Sequence, residues 1–199
     1  IIYLIETGFQ LHLISSKNLD DWNLILKAAG TDNILNNRKA SNVKVLNFML
    51  SDKKNPNNIL TLITKVRINA RKSRVSITRE VWESINSFWF FLNENLKKNV
   101  LEKDIIYLLK EIKQNIALIF GFINRTMLRN EILNFCFLGT FIERFDNTLR
   151  ILNTKNYKNN LKIYDKPSSD FQLELILRSI SSYRSFMWKN QNMIDEKSI

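Results

Sequence analysis

The apolar residues of this chain recur with the period of an α-helix along almost its whole length. Leu, Ile and Phe return every three or four residues, which places them on one side of a helix. Only four glycines and two prolines interrupt the 199 residues, so the turns that a hairpin-rich fold needs are scarce. The sequence therefore predicts an all-α protein, a multi-helix antiparallel bundle with short polar connections.

One domain is expected, because a chain of this length with 45% apolar residues can bury a single sizeable core. We assign residues 1–188 to one helical domain and residues 189–199 to a frayed carboxyl-terminal tail. The first residues already have the pattern of a helix interior, and no initiator Met or basic leader precedes them. A truncated amino terminus is therefore expected.

Local start and stop signals divide the pattern into separate helices. Asn55-Pro56 is expected to begin one helix, since Asn caps free amides and Pro needs no hydrogen bond at the first helical position. Thr78, with Glu80 in the next turn, is expected to cap another helix, and Gly30 to end an earlier one. The predicted helices are 2–13, 22–30, 43–50, the segments after Asn55-Pro56 and after Thr78, 101–124, 126–152 and 171–188.

The segment Thr126–Leu152 is predicted to be a long amphipathic helix with an acid in its apolar face. At about 100° per residue, Glu131 falls on the same arc as six large apolar residues. An unpaired carboxylate buried there would be costly, so Glu131 is expected either to meet a cation from another helix or to be neutral. The apolar arc consists of Leu128, Phe135, Leu138, Ile142, Phe145 and Leu149.

Three arginines form a cationic ridge on the helix that follows Asn55-Pro56. Arg67, Arg71 and Arg74 stand four and three residues apart and therefore share one side of the helix. Guanidinium groups bind carboxylates through paired hydrogen bonds, so this arginine ridge is a candidate partner for Glu131 or Asp146. Two interpretations stay open: salt bridges that fix helix register, or a pocket for an anionic ligand or a reaction. Spacing alone favours the first.

A second polar row borders the apolar arc of the helix 126–152. Glu143, Asp146 and Arg150 lie three and four residues apart, and Asp146 can pair with Arg150 along the helix. Gly139 lies near the same row, where a missing side chain would let another backbone or a ligand approach closely. A polar seam inside the bundle is the resulting hypothesis.

The formal net charge of +11 is the main argument for a nucleic-acid partner. The basic residues are scattered, however, and the sequence has no zinc-finger spacing, aromatic strand motif or clear helix-turn-helix. We favour the interpretation that the excess of Lys and Arg is spread over the solvent-exposed surface. A basic helical nucleic-acid-binding module is kept as the alternative function.

The counts of Cys and His and the lengths of the apolar runs argue against metal, cofactor and membrane functions. The single Cys136 is expected to be a small core residue in a reducing compartment, and the single His12 cannot build paired Glu-x-x-His metal sites. No apolar run approaches the roughly 20 residues of a spanning helix, and the run Ile116–Ile123 is typical of a buried core helix. We expect a cytoplasmic protein with no metal, no cofactor and no membrane contact.

Two long blocks of the sequence follow the order of known family patterns. NPNNILTLITKVRINARKSRVSITREVWESIN is similar to NP-x-SI, ARENAR and IS-x-E-x-WE-x-LN, and TMLRNEILNFCFLGTFIERFDNTLRIL is similar to TMLRDEGW and LGRYLERAD-x-TARLLD. In both blocks the chain resembles the bacterial alpha-E domain family. The matching residues are Asn55, Pro56, Ile59, Arg67, Asn69, Ala70, Arg71, Arg74, Ile77, Glu80, Trp82, Glu83 and Asn86 in the first block, and Thr126, Met127, Leu128, Arg129, Glu131, Leu138, Gly139, Glu143, Arg144, Asp146, Thr148, Arg150 and Leu152 in the second.

The resemblance implies an all-helical domain associated with ATP-grasp-type peptide or amide ligases and with transglutaminase-like proteins. The sequence itself has no nucleotide-cradling glycine loop and no His-assisted nucleophile, which favours a non-catalytic partner over an enzyme. The family also has an earlier ERAEN-type helix, which would lie before Ile1. The resemblance suggests a polar centre made of Arg67, Asn69, Arg71, Arg74, Glu80, Arg129, Glu131, Glu143, Arg144, Asp146 and Arg150.

Overall fold

The computed structural model describes residues 26, 28–31, 42–97, 100, 102–160, 174, 177–178 and 180–190. The predicted helix 2–13, most of 22–30, the start of 171–188 and most of the tail 189–199 lie outside these residues. Within them the chain forms six helices with described bounds, parts of further helices and no strand, and the prediction of an all-α protein is confirmed. The helices are α1 (Asn42–Leu50), α2 (Ile59–Lys72), α3 (Arg79–Asn95), α4 (Glu102–Thr126), α5 (Glu131–Asn160) and α6 (Tyr183–Lys189).

The chain divides into two compact units. The first combines Tyr3–Arg38 with Glu143–Ile199 and also takes in Ile1, and the second consists of Lys39–Ile142 together with Ile2. The boundary between them falls within α5. The expectation of one domain over residues 1–188 stays a prediction.

Consecutive helices of the second unit pack against each other. α1 contacts α2, α2 contacts α3, and α3 contacts α4. Contacts between α2 and α3 join Thr64 to Trp89 and Arg67 to Asn86, so three residues backward along α2 correspond to three residues forward along α3. This is the pairing of an antiparallel helical hairpin, as the bundle prediction requires.

The connection from α1 to α2 is built around two buried asparagines. Asn55 donates from Nδ2 to the Phe48 carbonyl at 3.1 Å, and its Oδ1 accepts the Asn57 amide at 3.0 Å. Asn58 is the residue that caps α2, because its Oδ1 accepts the Thr61 amide at 2.7 Å. The prediction that Asn55-Pro56 begins the helix is therefore wrong by one turn. Asn55 instead uses its side chain to close the preceding turn.

α3 is the central helix of the second unit. Thr78 caps it as predicted, accepting the Val81 amide at 3.4 Å, and Glu80 lies in its first turn. The Thr78 hydroxyl also bonds the Thr126 hydroxyl at the end of α4, over 2.7 Å. Its apolar face, at helical spacing, is buried and consists of Val81, Ile85, Phe88 and Leu92.

α2 and α4 bury their apolar residues less completely. In α2 Ile59, Ile63 and Ala70 are buried, whereas Val66 is 44% exposed. In the segment Ile116–Ile123, only Ile119 is buried, so the prediction that this run lies in a core is wrong. An uninterrupted apolar run covers every side of a helix, and α4 buries one side only. The buried residues of α4 are Ile105, Leu108, Leu109, Ile112 and Ile119.

Gly30 ends the helix that contains Leu26 and Ala28, as predicted. Its φ is +67°, and the Thr31 amide donates to the Leu26 carbonyl at 2.8 Å, which is the hydrogen bond of a Schellman cap. A Cβ at this position would also run into the guanidinium of Arg150, which belongs to the same unit. A glycine is therefore needed at position 30, both for its positive φ and because a side chain would collide with Arg150.

Substitution of Gly30 by alanine is expected to lower the free energy of unfolding by about 1–2 kcal/mol, because an L-residue is strained at positive φ. Guanidinium denaturation followed by circular dichroism would measure it. Gly139 is the matched control, since a Cβ there meets no atom within 4 Å and the residue is helical. Gly139→Ala is expected to be neutral or stabilising. Equal losses in the two variants would contradict this account of Gly30.

Candidate functional site

Arg67 is the most firmly held member of the arginine ridge. Its Nε donates to Asn86 Oδ1 at 2.7 Å, and its Cζ lies 4.2 Å from the centre of the Trp89 ring. Trp89 is itself fixed, since its indole Nε1 donates to Thr64 Oγ1 at 3.0 Å. Phe90 meets Trp89 edge-on, with the ring centres 5.0 Å apart. The α2–α3 hairpin therefore holds one guanidinium on an aromatic platform by stacking and by a hydrogen bond.

The other two arginines of the ridge are exposed. Arg74 lies with its Cζ 5.8 Å from the Trp82 ring centre, and its Nη1 makes only a long contact of 3.5 Å with the Ile77 carbonyl. The structure gives Arg71 no hydrogen bond or ion pair with another described residue. Asn69, also on α2, is exposed. The ridge is a row of cationic groups beside the aromatic residues of α3.

Within the part of the chain that the structure describes, no ion pair joins the arginine ridge to Glu131. Glu131 is exposed at the start of α5, so the prediction of a buried acid is wrong. At α3, Glu83 binds Arg79 at 2.6 Å instead. The hydrogen bond and the negative charge of Glu83 raise the pKa of Arg79. Glu80 is exposed in the first turn of α3.

The apolar arc of the predicted helix 126–152 faces outward in α5. Phe135 is 70% exposed, Leu138 52% and Ile142 59%. We call these three residues the exposed strip. Leu133, on the opposite side of the helix, is 2% exposed and packs inward. The helical period of the sequence correctly predicted an apolar face on this helix, but the expectation that this face is buried is wrong. The arc residues Leu128, Phe145 and Leu149 are exposed as well.

Other expectations about this region have mixed outcomes. Cys136 is exposed, so its prediction as a core residue is wrong. Arg129 Nη2 makes a long contact of 3.4 Å with the Asn124 carbonyl. Asn130 stands where the family pattern has an acid, and its Oδ1 accepts the Leu133 amide at 3.4 Å, so it takes the capping position before α5.

The second polar row lies in the carboxyl-terminal part of α5, in the first unit. Asp146 Oδ2 accepts a hydrogen bond from Arg150 Nε at 2.7 Å, which confirms the predicted pair along the helix. Glu143 and Arg144 are exposed. An exposed pair of this kind contributes little to stability, so Asp146 and Arg150 serve mainly to orient each other.

The role of Trp89 and Asn86 as partners of Arg67 was not predicted from the sequence. A usable signal was present, because a helical hairpin pairs residues that lie at equal distances from its turn. With a turn at 73–78, Arg67 lies six residues before it and Asn86 eight residues after it, so equal spacing places Asn86 within two residues of the position opposite Arg67.

The Glu-Arg dipeptide occurs once in this sequence, at Glu143-Arg144 in α5. A family model described as Alpha-E, a predicted alpha-helical domain with a conserved ER motif, matches residues 2–199. The chain belongs to the Alpha-E family. A comparison with curated proteins found no match, and a comparison with solved structures found none either.

Neither a metal-binding cluster nor a membrane-spanning helix is present in the described part of this Alpha-E chain. Among the described residues, no three or more His, Cys, Asp or Glu side chains are grouped so that they could hold a metal ion. None of the helices in the described part combines the length and the apolar character needed to cross a membrane.

Proposed function

We propose that this Alpha-E protein is a non-catalytic helical partner of an ATP-grasp-type peptide or amide ligase. In this proposal the two proteins act together in the cytoplasm to make or modify a peptide-like product. The identity of the partner rests on the family resemblance, with a transglutaminase-like protein as a further associated component. The observation that supports a partner role is the exposed strip on α5.

The exposed strip has the geometry of a helix that binds in a groove. Phe135, Leu138 and Ile142 stand three and four residues apart, so their side chains follow one line over about 10 Å of helix. Single exposed apolar side chains are ordinary, whereas a continuous row of large ones marks interaction sites. Glu131 lies on the same arc, one turn before Phe135. A partner groove would therefore be apolar, with a cation at one end.

The test uses the full chain and a purified ATP-grasp-type ligase from the same genome. Calorimetry would measure binding, and release of ADP would measure the ligase activity with and without the chain. Phe135→Asp is expected to weaken binding by about 30-fold or more, because it replaces the largest side chain of an apolar contact with a charge. The stimulation of ADP release should fall in parallel.

Ile106→Asp is the matched control for this experiment. Ile106 is 64% exposed near the start of α4, so the same exchange introduces an acid on another helix. Its binding is expected to remain within about twofold of the parent chain. Absence of binding by the parent chain would refute the ligase partnership. An equal loss in Phe135→Asp and Ile106→Asp would refute the role of the exposed strip.

A further inference from the structure

The guanidinium of Arg67 is held in one orientation while its outer edge stays available. Stacking on Trp89 and the hydrogen bond from Nε to Asn86 fix the plane of the group. No described residue accepts a hydrogen bond from Nη1 or Nη2 of Arg67. A guanidinium fixed in this way loses little side-chain entropy when it binds a ligand, and its free edge matches two oxygens of a carboxylate or phosphate.

The positive charge around Arg67 is not neutralised on its own helix. α2 has the sequence ILTLITKVRINARK, with four basic residues and no acid. Arg71 and Arg74 extend the charge along the same side, and neither forms an ion pair with a described residue. The acid Glu83 on α3 is occupied by Arg79. Among the described residues, the arginine ridge therefore forms no salt bridge that could fix helix register.

We infer that the arginine ridge of α2, with the Trp89 platform and Asn86 of α3, is a binding site for an oxyanion-bearing small molecule. Arg67 binds one phosphate or carboxylate group through its free edge. Arg71, one turn further along, binds a second anionic group about 6 Å away. The ligand class is thus a compound with two or more neighbouring anionic groups, such as a diphosphate or a dicarboxylate.

This site and the proposed partner surface use different parts of the fold. The oxyanion site is formed by α2 and α3, whereas the exposed strip belongs to α5. The inference stands even if the chain has no ligase partner, and binding of a small anion can be measured without one.

The test is calorimetric titration of the full chain with inorganic diphosphate and, separately, with glutarate at low salt. Saturable binding of at least one of them is expected, and the tighter of the two identifies the ligand chemistry. Arg67→Gln should weaken binding by about tenfold or more, since it removes a charge-assisted paired hydrogen bond. Arg71→Gln removes an exposed side chain that holds nothing in place, so it provides the same test with no risk to folding.

Lys65→Gln is the matched control, because Lys65 is exposed on the opposite side of α2 and the exchange removes the same charge. Its affinity for the anion should stay within about twofold of the parent chain. An equal loss in Lys65→Gln and Arg71→Gln would overturn the site in favour of diffuse attraction. Absence of saturable binding would also overturn it. So would tighter binding of duplex DNA than of either anion, with equal dependence on both residues, because that result indicates a nucleic-acid surface.

Discussion

Replacement of Phe88 by alanine is expected to lower the free energy of unfolding by about 3–5 kcal/mol. Phe88 is 2% exposed in the middle of α3, the helix that contacts both α2 and α4. Truncation removes a large apolar side chain and leaves a cavity that neighbouring helices can fill only in part. Denaturant unfolding followed by circular dichroism at 222 nm would measure the change. A loss of this size is a large fraction of the total stability of a domain.

Phe135→Ala makes the same chemical change on α5 and serves as the comparison. Because Phe135 is 70% exposed, its truncation is expected to change the free energy of unfolding by less than about 0.5 kcal/mol. If Phe135→Ala is as destabilising as Phe88→Ala, the exposed strip packs within the chain itself. That result would remove the structural basis for a partner surface on α5 as well.

The sequence was sufficient for features that depend on neighbours along the chain. The buried face of α3 follows from apolar residues at helical spacing, and its start follows from the hydroxyl of Thr78. Gly30 was identifiable as a helix end because only glycine adopts positive φ without strain. The pair of Asp146 and Arg150 likewise needs only the geometry of one helix.

Features that depend on which helix faces pack against each other could not be predicted in the same way. The period of α5 shows that Phe135 and Ile142 share an apolar face, but not whether another element covers it. In the structure α5 packs through Leu133 on its other side, so Glu131 is exposed and needs no buried partner. The partner of Arg67 was missed for a related reason. From its helix position, Arg67 was expected to pair with the acids Glu131 or Asp146. The α2–α3 hairpin instead brings Arg67 to the amide of Asn86 and the indole of Trp89.

The position of the α2 cap shows how buried polar groups override a local signal. Asn55-Pro56 has the residues of a helix start, yet Asn55 and Asn58 are both completely buried and share the turn between them. The side chain of Asn58 makes four polar contacts: Oδ1 accepts the Thr61 amide, and the two hydrogens of Nδ2 are shared among the Asp52 carbonyl, the Asn55 carbonyl and the Thr61 hydroxyl. A residue with this many partners determines where the helix begins.

Asn58→Ala is accordingly expected to lower the free energy of unfolding by about 2–4 kcal/mol, measured by the same denaturant titration. Loss of the cap contributes about 1 kcal/mol, and loss of the side-chain hydrogen bonds to the Asp52 and Asn55 carbonyls, which keep their backbone donors, adds the rest. Asn57→Ala is the control, since Asn57 is exposed and uses only its backbone amide in this turn. That variant should stay within about 0.5 kcal/mol of the parent chain.

Asn58→Ser separates the two contributions of the asparagine. Serine keeps an oxygen that can accept the Thr61 amide, but it cannot supply the two amide hydrogens that bond the carbonyls of Asp52 and Asn55. If the buried carbonyls dominate, Asn58→Ser should recover only about 1 kcal/mol of the loss in Asn58→Ala. Full recovery by serine would show that capping alone sets the start of α2, and that the turn from Asp52 to Asn55 is held by other contacts.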